Sequence, residues 1–179
     1  MLVEGHSDRV ALLTLAARLD RDLAAEGVDV VAMGGVTNTR AFATRYGPRG
    51  LDVALAGLYD APEEPLLRRG LIAAGVPATA PADLAGLGFF GCRSDPEDEL
   101  LRSLGPEAVE AVIESAGETR SLRLLAGMPA QRDWSRERLL RRFLTVRSGR
   151  KARYAALLVE ALDLDAVPRP LTAVLDRVG

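Results

Sequence analysis

Apolar positions at Val10, Leu13, Ala17 and Leu19, with Leu12, Leu15 and Leu23 beside them, recur at helical spacing and predict a helix over residues 8–25 closed by Gly27. The flanking stretches follow another pattern. Before the helix, "LVE" is a short apolar run ending on Glu4; after it, "VDVVAM" (28–33) reads as a buried strand that stops at Gly34 and Gly35. Thr37 or Asn38 then stands where a short helix through Tyr46 would be capped. A third strand, "LDVALAGLYD" (51–60), finishes on Asp60 and leads to a helix with Pro65 in its first turn, continuing through "LLRRGLIAAG". "GFFGC" (88–92) predicts a fourth strand. "SDPEDELLRSLG" predicts the next helix, with Ser94 and Glu97 at capping-box spacing and Pro96 in the first turn. Strands alternating with helices predict an α/β fold around a mostly parallel four-stranded sheet with covered faces.

After residue 105 the strand signal stops, and "PEAVEAVIESAG", "TRSLRLLAG", "SRERLLRRFLTV" and "KARYAALLVEALDLD" all read as helices, with "PRPLTAVLDRVG" adding a short last one. The expected organisation is an α/β body at 1–105 and an all-helical part at 106–179 packed on it. A chain of 179 residues is long enough to bury a sizeable core. No apolar run reaches the length of a membrane span, and the first residues lack the basic and apolar regions of a secretory signal. The single cysteine, Cys92, has no partner for an internal disulfide, so the expected compartment is a reducing cytoplasm.

Charge divides the chain. Residues 1–119 carry 19 acids against 10 arginines, whereas residues 132–153 carry eight arginines and Lys151 against Asp133 and Glu137. An acidic body beside a basic segment suits a metal site next to a polyanion-binding surface. It equally suits an amphipathic helix whose arginines pair with the acidic body.

The acids also fall at informative places. Ligands of open parallel sheets bind in the crevice beyond the carboxyl ends of the strands. Glu4 follows the first expected strand, Asp60 ends the third, and Asp95 and Glu97 come just after the fourth. Hard cations such as magnesium take carboxylate oxygens, and a bound ion would relieve the repulsion such a cluster otherwise suffers. Each acid has a second reading. Asp8 would favour the positive end of a helix dipole, Glu97 would be the capping partner of Ser94, and Glu63 and Glu64 would be solvated first-turn acids. Asp60 is the hardest to explain otherwise, because an apolar strand delivers it to the end of the sheet.

These stretches resemble a TOPRIM domain, the fold shared by bacterial primases, topoisomerases and the overcoming-lysogenization-defect (OLD) family of nucleases. "LVEGHSDRVALLTLAARL" resembles the first strand, glutamate and helix of the OLD-like branch, "VVAMGGVTNTRAF" its second strand and Gly-Gly turn, and "LAGLYDAPEE" its third strand. The likeness continues through "SDPEDELLRSLG" to "GRKARYAALLVEALDLDAVPRPLTAVL". The resemblance implies a TOPRIM-like, Rossmann-like sheet and roles for named residues. Glu4 and Asp8 match paired acids that hold a metal, Asp60 the first aspartate of an Asp-x-Asp motif, and Asp95 and Glu97 a further acidic pair. Lys151, the only lysine, matches a residue facing the scissile phosphate. Where the motif has its second aspartate this chain has Pro62, leaving Glu63 or Glu64 to compensate.

The resemblance therefore implies a magnesium- or manganese-dependent nuclease with one or two ions. Glu4, Asp8 and Asp60 would hold the first and Asp95 and Glu97 would lie near the second, while Glu4, Asp60 and Lys151 carry the chemistry. Arg136, Arg138, Arg141, Arg142, Arg147, Arg150 and Arg153 would hold the backbone of DNA or another nucleic acid without reading bases. OLD proteins carry an ATPase domain ahead of this one. No G-x-x-x-x-G-K-[ST] occurs here, so no ATP site is expected in the chain, and an ATPase supplied in trans is a candidate partner. The rival readings are a non-catalytic module binding nucleic acid or a partner protein, favoured by Pro62, and nucleotidyl transfer. An apolar face including Leu139, Leu140, Phe143 and Leu144 is either core or an oligomer seam.

Overall fold

In the computed structural model, which describes residues 1–145 and 149–179, Leu2–Val3 (β1) lies between Val31–Ala32 (β2) and Gly57–Asp60 (β3). Phe89–Cys92 (β4) pairs with the far side of β3, so the order is β2-β1-β3-β4 with every pairing parallel. Leu2 registers with Val31 and with Gly57, and Asp60 with Cys92. In this order the chain leaves β1 toward one edge and returns to extend the other. The carboxyl ends of β1 and β3 therefore flank the point where the winding reverses, the place at which open parallel sheets bind ligands.

Alternation along the strands sends neighbouring side chains to opposite faces. Leu2 and Phe89 face a core built with Leu67 and Leu71, from Thr39–Tyr46 (α2), Glu64–Ala73 (α3) and Asp83–Gly86 (α4). Val3, Leu58 and Cys92 face a larger core closed by His6–Arg18 (α1), Pro96–Ser115 (α5), Arg136–Thr145 (α7), Arg150–Ala161 (α8) and Arg169–Asp176 (α9). Thr119–Ala126 (α6) joins α5 to the segment before α7, and its Leu122 and Leu125 pack on this core. Leu140, Phe143 and Leu144 are buried in it, which settles that part of the α7 apolar face as core.

Helix α8 matters most for the site. Its Tyr154, Ala155, Leu158 and Val159 pack in one core with Leu12, Leu15 and Ala16 of α1. Arg18, in the last turn of α1, donates to the carbonyls of Val159 and Leu162 at the end of α8, at 2.7 Å each. Those carbonyls are the groups a helix end leaves unsatisfied. The two helices thus end together and begin together, and their first turns bring Asp8 and Lys151 to the same end of the sheet.

Four local expectations need correction. The first helix ends at Arg18 instead of running to 25, because Asp20 adopts a left-handed φ of 56°. The third strand is Gly57–Asp60 only; Leu51 and Val53 stay exposed in the preceding loop, away from any sheet partner. Asn38 stands at the start of α2, but its amide donates to Met33 and Gly34 carbonyls and so closes the preceding turn instead of capping the helix. The helix after β4 is capped by Asp95, whose Oδ1 accepts from the Asp98 amide at 2.7 Å, so Ser94 and Glu97 form no capping box. Within α5, Gly105 (φ 75°, ψ 161°) breaks the helix ahead of Pro106, a conformation that a side chain at that position would strain.

Candidate metal centre

Glu4 leaves the end of β1 and its carbonyl accepts from the amides of both Gly34 and Gly35, at 2.9 and 3.1 Å. Both glycines have positive φ, 73° and 121°, which lets the turn after β2 fold back over the residue following β1. Asp60, the last residue of β3, is delivered alongside. The 3-10 turn Ala61–Glu63 then swings Glu63 back, so one carboxylate oxygen from each of Glu4, Asp60 and Glu63 comes within 4.8 Å of the others. Among the described residues this is the one set of three acidic or metal-ligating side chains that converges so closely.

Glu63, next to a proline with no ligand atom to offer, therefore joins Glu4 and Asp60. Glu64 does not, since its carboxylate receives the Arg68 guanidinium at 2.7 Å. Asp8 is near but differently engaged: its oxygens accept from the Gly5 amide at 2.7 Å and the Ser7 hydroxyl at 3.2 Å. The expected trio of Glu4, Asp8 and Asp60 is thus replaced, in the geometry, by Glu4, Asp60 and Glu63. Asp8 lines the same crevice of about 220 Å³, together with Gly34, Gly35 and Lys151.

Across that crevice, Lys151 Nζ lies 3.2 Å from Glu97 Oε2. Glu97 is 3% exposed, and neither of its oxygens has a hydrogen-bond partner of good geometry, nor does the buried Glu63 Oε2. Buried carboxylate oxygens left without partners are costly unless a cation supplies what is missing. The Lys151 ammonium offsets part of this cost at Glu97 Oε2. Oxygen donors of this kind fit a hard divalent ion.

Electrostatics follows. Burial, a proton shared with Glu63 and the charge of Asp60 push the Glu4 carboxyl up to about 8. Burial and the charges of Asp95, Asp8 and Glu63 push Asp60 up to about 7. Burial also raises Asp8 and Glu97, each opposed in part by the Lys151 ammonium. Burial of Lys151 works against its charge, yet Glu97, Asp8 and Asp95 together hold its pKa above the usual lysine value. Lys151 also stands in the first turn of α8, where a cation opposes the helix dipole, by ~0.3–1 kcal/mol in exposed settings. A positive charge kept there against the dipole is accounted for by the acids it faces.

These shifts carry a sign. In the unfolded chain the Glu4 and Asp60 carboxyls ionise at their ordinary values, so between about pH 4 and about pH 8 the folded state holds more protons. The metal-free protein is expected to be more stable at the acidic end of this window and to lose stability as pH rises through 7 and 8. Thermal melting in EDTA at about pH 6 and about pH 8.5 checks this, and Glu4→Gln should flatten the difference. Affinity for a divalent ion should rise over the same interval, because its ligands must lose their protons.

Asp95 is committed elsewhere. Beyond its cap, its Oδ2 accepts from Arg141 at 2.5 Å, and Arg141 also reaches Asp98 at 3.4 Å. Other arginines expected on a nucleic-acid surface are likewise paired within the chain. Arg136 pairs with Glu107 and Glu110, and Arg153 with Glu118. Arg150 is buried, bonded to Glu118 and to the Phe143 carbonyl, with its guanidinium 4.1 Å from the Phe143 ring centroid. Arg150 thereby corrects the expectation of a surface role: it anchors the start of α8, and breaking such a buried pair costs ~3–5 kcal/mol. Arg138 and Arg142 are exposed, Arg138 lying 4.1 Å over the Trp134 ring, and Arg147 falls outside the described residues. Tyr59 turns away from Asp60 into the α2–α3 core, against Gly91. Burial pushes the Cys92 thiol up and leaves it inert. Sequence reasoning missed the Asp98–Arg141 contact, for which the spacing of 43 residues offers no signal.

A parallel sheet in the order 2-1-3-4, with a glutamate after its first strand and an aspartate closing its third, is the TOPRIM fold. Residues 1–61 match the family model described as the overcoming lysogenization defect protein-like TOPRIM domain. The whole chain has the fold of OLD C-terminal regions. That of Xanthomonas campestris pv. campestris superposes with a TM-score of 0.71 at 27% identity, covering 99% of this chain and 92% of that one. The corresponding region from Burkholderia pseudomallei gives 0.69 at 26% identity, covering 99% and 94%. No curated protein matches. Among the described residues, no helix is long and apolar enough to cross a membrane.

Proposed function

We propose that this chain is a metal-dependent nuclease that hydrolyses phosphodiester bonds of nucleic acid. The observation that carries this reading is the convergence of Glu4, Asp60 and Glu63 at the reversal point of the sheet, facing the lone lysine. Glu4, Asp60 and Glu63 would hold a magnesium or manganese ion, with Asp8 and Glu97 available to a second. A divalent ion in such a site supplies activation of water and neutralisation of phosphate charge. In the hydrolysis, a water oxygen bonds to phosphorus, the bond to the leaving sugar oxygen breaks, and the water proton ends on that oxygen. Lys151 contributes electrostatically. With its pKa raised it is a standing positive charge and a poor proton donor, suited to offset charge growing on the phosphate. Arg138 and Arg142 would hold the backbone, so binding should weaken modestly with salt, with a log–log slope of about −1.4 to −1.8 for two phosphate contacts.

Conversion of supercoiled plasmid to nicked and linear forms with magnesium or manganese, against EDTA, tests the reading. Intact plasmid alongside measurable manganese binding would replace it with a nucleic-acid-binding or partner-binding module. The assignment of Glu63 makes its own prediction. Glu63→Ala is expected to weaken manganese binding by about tenfold to a hundredfold, on the scale of losing a group that supports a metal. Glu64→Ala should leave it unchanged; calorimetric titration of the two variants distinguishes them.

A further inference from the structure

Four acids stand at the start of α5, and three of them are held by bonds within the chain. Asp95 accepts from the Asp98 amide and from Arg141, Asp98 pairs with Arg102 and Arg141, and Glu99 accepts from the Arg93 amide and pairs with Arg102. Glu97 is the buried one of the four, and among the described residues the cation paired with it is Lys151. We propose that Lys151 is a tethered cation in the place of a second divalent ion on Glu97, and that this ion enters when a substrate phosphate draws the lysine away. The proposal rests on the nuclease reading above for that phosphate, and adds to it how the ion count of the site is regulated.

Glu97 needs a cation that its own helix does not supply. It is 3% exposed, and neither of its oxygens has a well-formed hydrogen bond. Lys151 meets that need from another helix, with Nζ 3.2 Å from Oε2, yet its side chain is 43% exposed and lines the crevice with Glu4, Asp8 and Asp60. A compact ammonium on a flexible four-carbon stem can turn from Glu97 to a phosphate in that crevice while its helix stays in place. The carboxylate cannot serve both cations at once. Magnesium binds a carboxylate oxygen at about 2.0–2.1 Å, so an ion on Oε2 and an ammonium 3.2 Å from the same oxygen would set like charges against each other. Without a phosphate the second ion must displace Lys151 and binds weakly; with one, the lysine has a new partner and the ion binds more tightly. The coupling is reciprocal, so the second ion favours the phosphate in turn. The place at Glu4, Asp60 and Glu63 stands outside this exchange, because among the described residues Lys151 pairs with Glu97 alone.

Equilibrium dialysis without nucleic acid counts manganese per chain, at a concentration just sufficient to fill the place at Glu4, Asp60 and Glu63. The natural chain is expected to hold about one ion, Lys151→Met about two, and Lys151→Met combined with Glu97→Gln about one again. Two ions in the natural chain, or one in a folded Lys151→Met, would overturn the proposal. A measurement on the natural chain covers the case of a variant that does not fold. Lys151 is the only lysine, so a chain grown on lysine isotopically labelled at Cε gives one lysine signal in nuclear magnetic resonance. That signal should hold its position when magnesium fills the first place and shift when oligothymidylate is added in EDTA. A signal that oligothymidylate leaves unmoved would overturn the release of the lysine by phosphate. Plasmid left intact by magnesium and manganese, with the counts and the signal as expected, would remove the nuclease reading and leave the lysine exchange standing.

Discussion

Asp60→Ala is expected to remove nearly all metal-dependent nicking of supercoiled plasmid, with a loss of about a thousandfold, the upper end of the scale for removing a principal electrostatic stabiliser. The reason is position. Asp60 ends the central strand β3, its oxygen converges with those of Glu4 and Glu63, and its charge is felt at Glu4. The isosteric Asp60→Asn should separate chemistry from folding. In the metal-free protein Asp60 is held up to about 7, so at pH above that value its ionised form opposes the folded state. The neutral amide of the Asp60→Asn variant would remove that repulsion, making the variant more stable than the natural chain in EDTA at about pH 8.5 while removing most of the stabilisation that manganese confers. Melting curves with and without manganese check both. A variant that lost activity and also melted lower in EDTA would place Asp60 in the structural framework instead.

Lys151→Ala is expected to lower the rate by about a hundredfold to a thousandfold while leaving manganese affinity equal to or above that of the natural chain. The two readouts diverge because Lys151 is a cation among the acids: it competes with an ion for Glu97 and Asp8 even as it favours the phosphate. Lys151→Arg should not restore the rate. A guanidinium is broader and strongly directional, and the crevice of about 220 Å³ fits a compact ammonium 3.2 Å from Glu97. Single-turnover nicking rates and calorimetric titration decide between this and a purely structural lysine, whose loss would lower stability and leave the rate of the folded fraction intact.

Much of this arrangement could be read in the sequence because it rests on local patterns. The four strands, their parallel pairing and Asp60 at the end of one follow from short apolar runs separated by helical spacing and glycine turns. The misreadings have equally local causes. "LDVALAGLYD" alternates like a strand throughout, but only Gly57–Asp60 finds partners on both sides, and Leu51 and Val53 remain exposed. Ser94 and Glu97 have the spacing of a capping box, yet Asp95 takes the cap, which frees Glu97 to turn inward toward Lys151. Seven arginines in or beside one segment suggest a uniform basic surface. In the folded chain Arg136 and Arg141 pair with acids in and just before α5, and Arg150 and Arg153 share Glu118.

The sequence by itself determined which residues stand at strand ends and helix starts, because hydrophobic period and turn chemistry act over a few residues. It therefore placed Glu4, Asp8 and Asp60 among the candidates, to which the resemblance to a known family added Lys151, without measuring any distance between them. Only the tertiary structure decided their grouping. The 3-10 turn after β3 brings Glu63 to Glu4 and Asp60, the Gly5 and Ser7 contacts occupy Asp8, and the packing of α8 along α1 sets Lys151 beside Glu97 across a separation of 54 residues in the chain. Such long-range contacts depend on how whole helices pack, and the burial that packing imposes is what raises the Glu4 and Asp60 carboxyls, so that a bound cation must take the place of their protons.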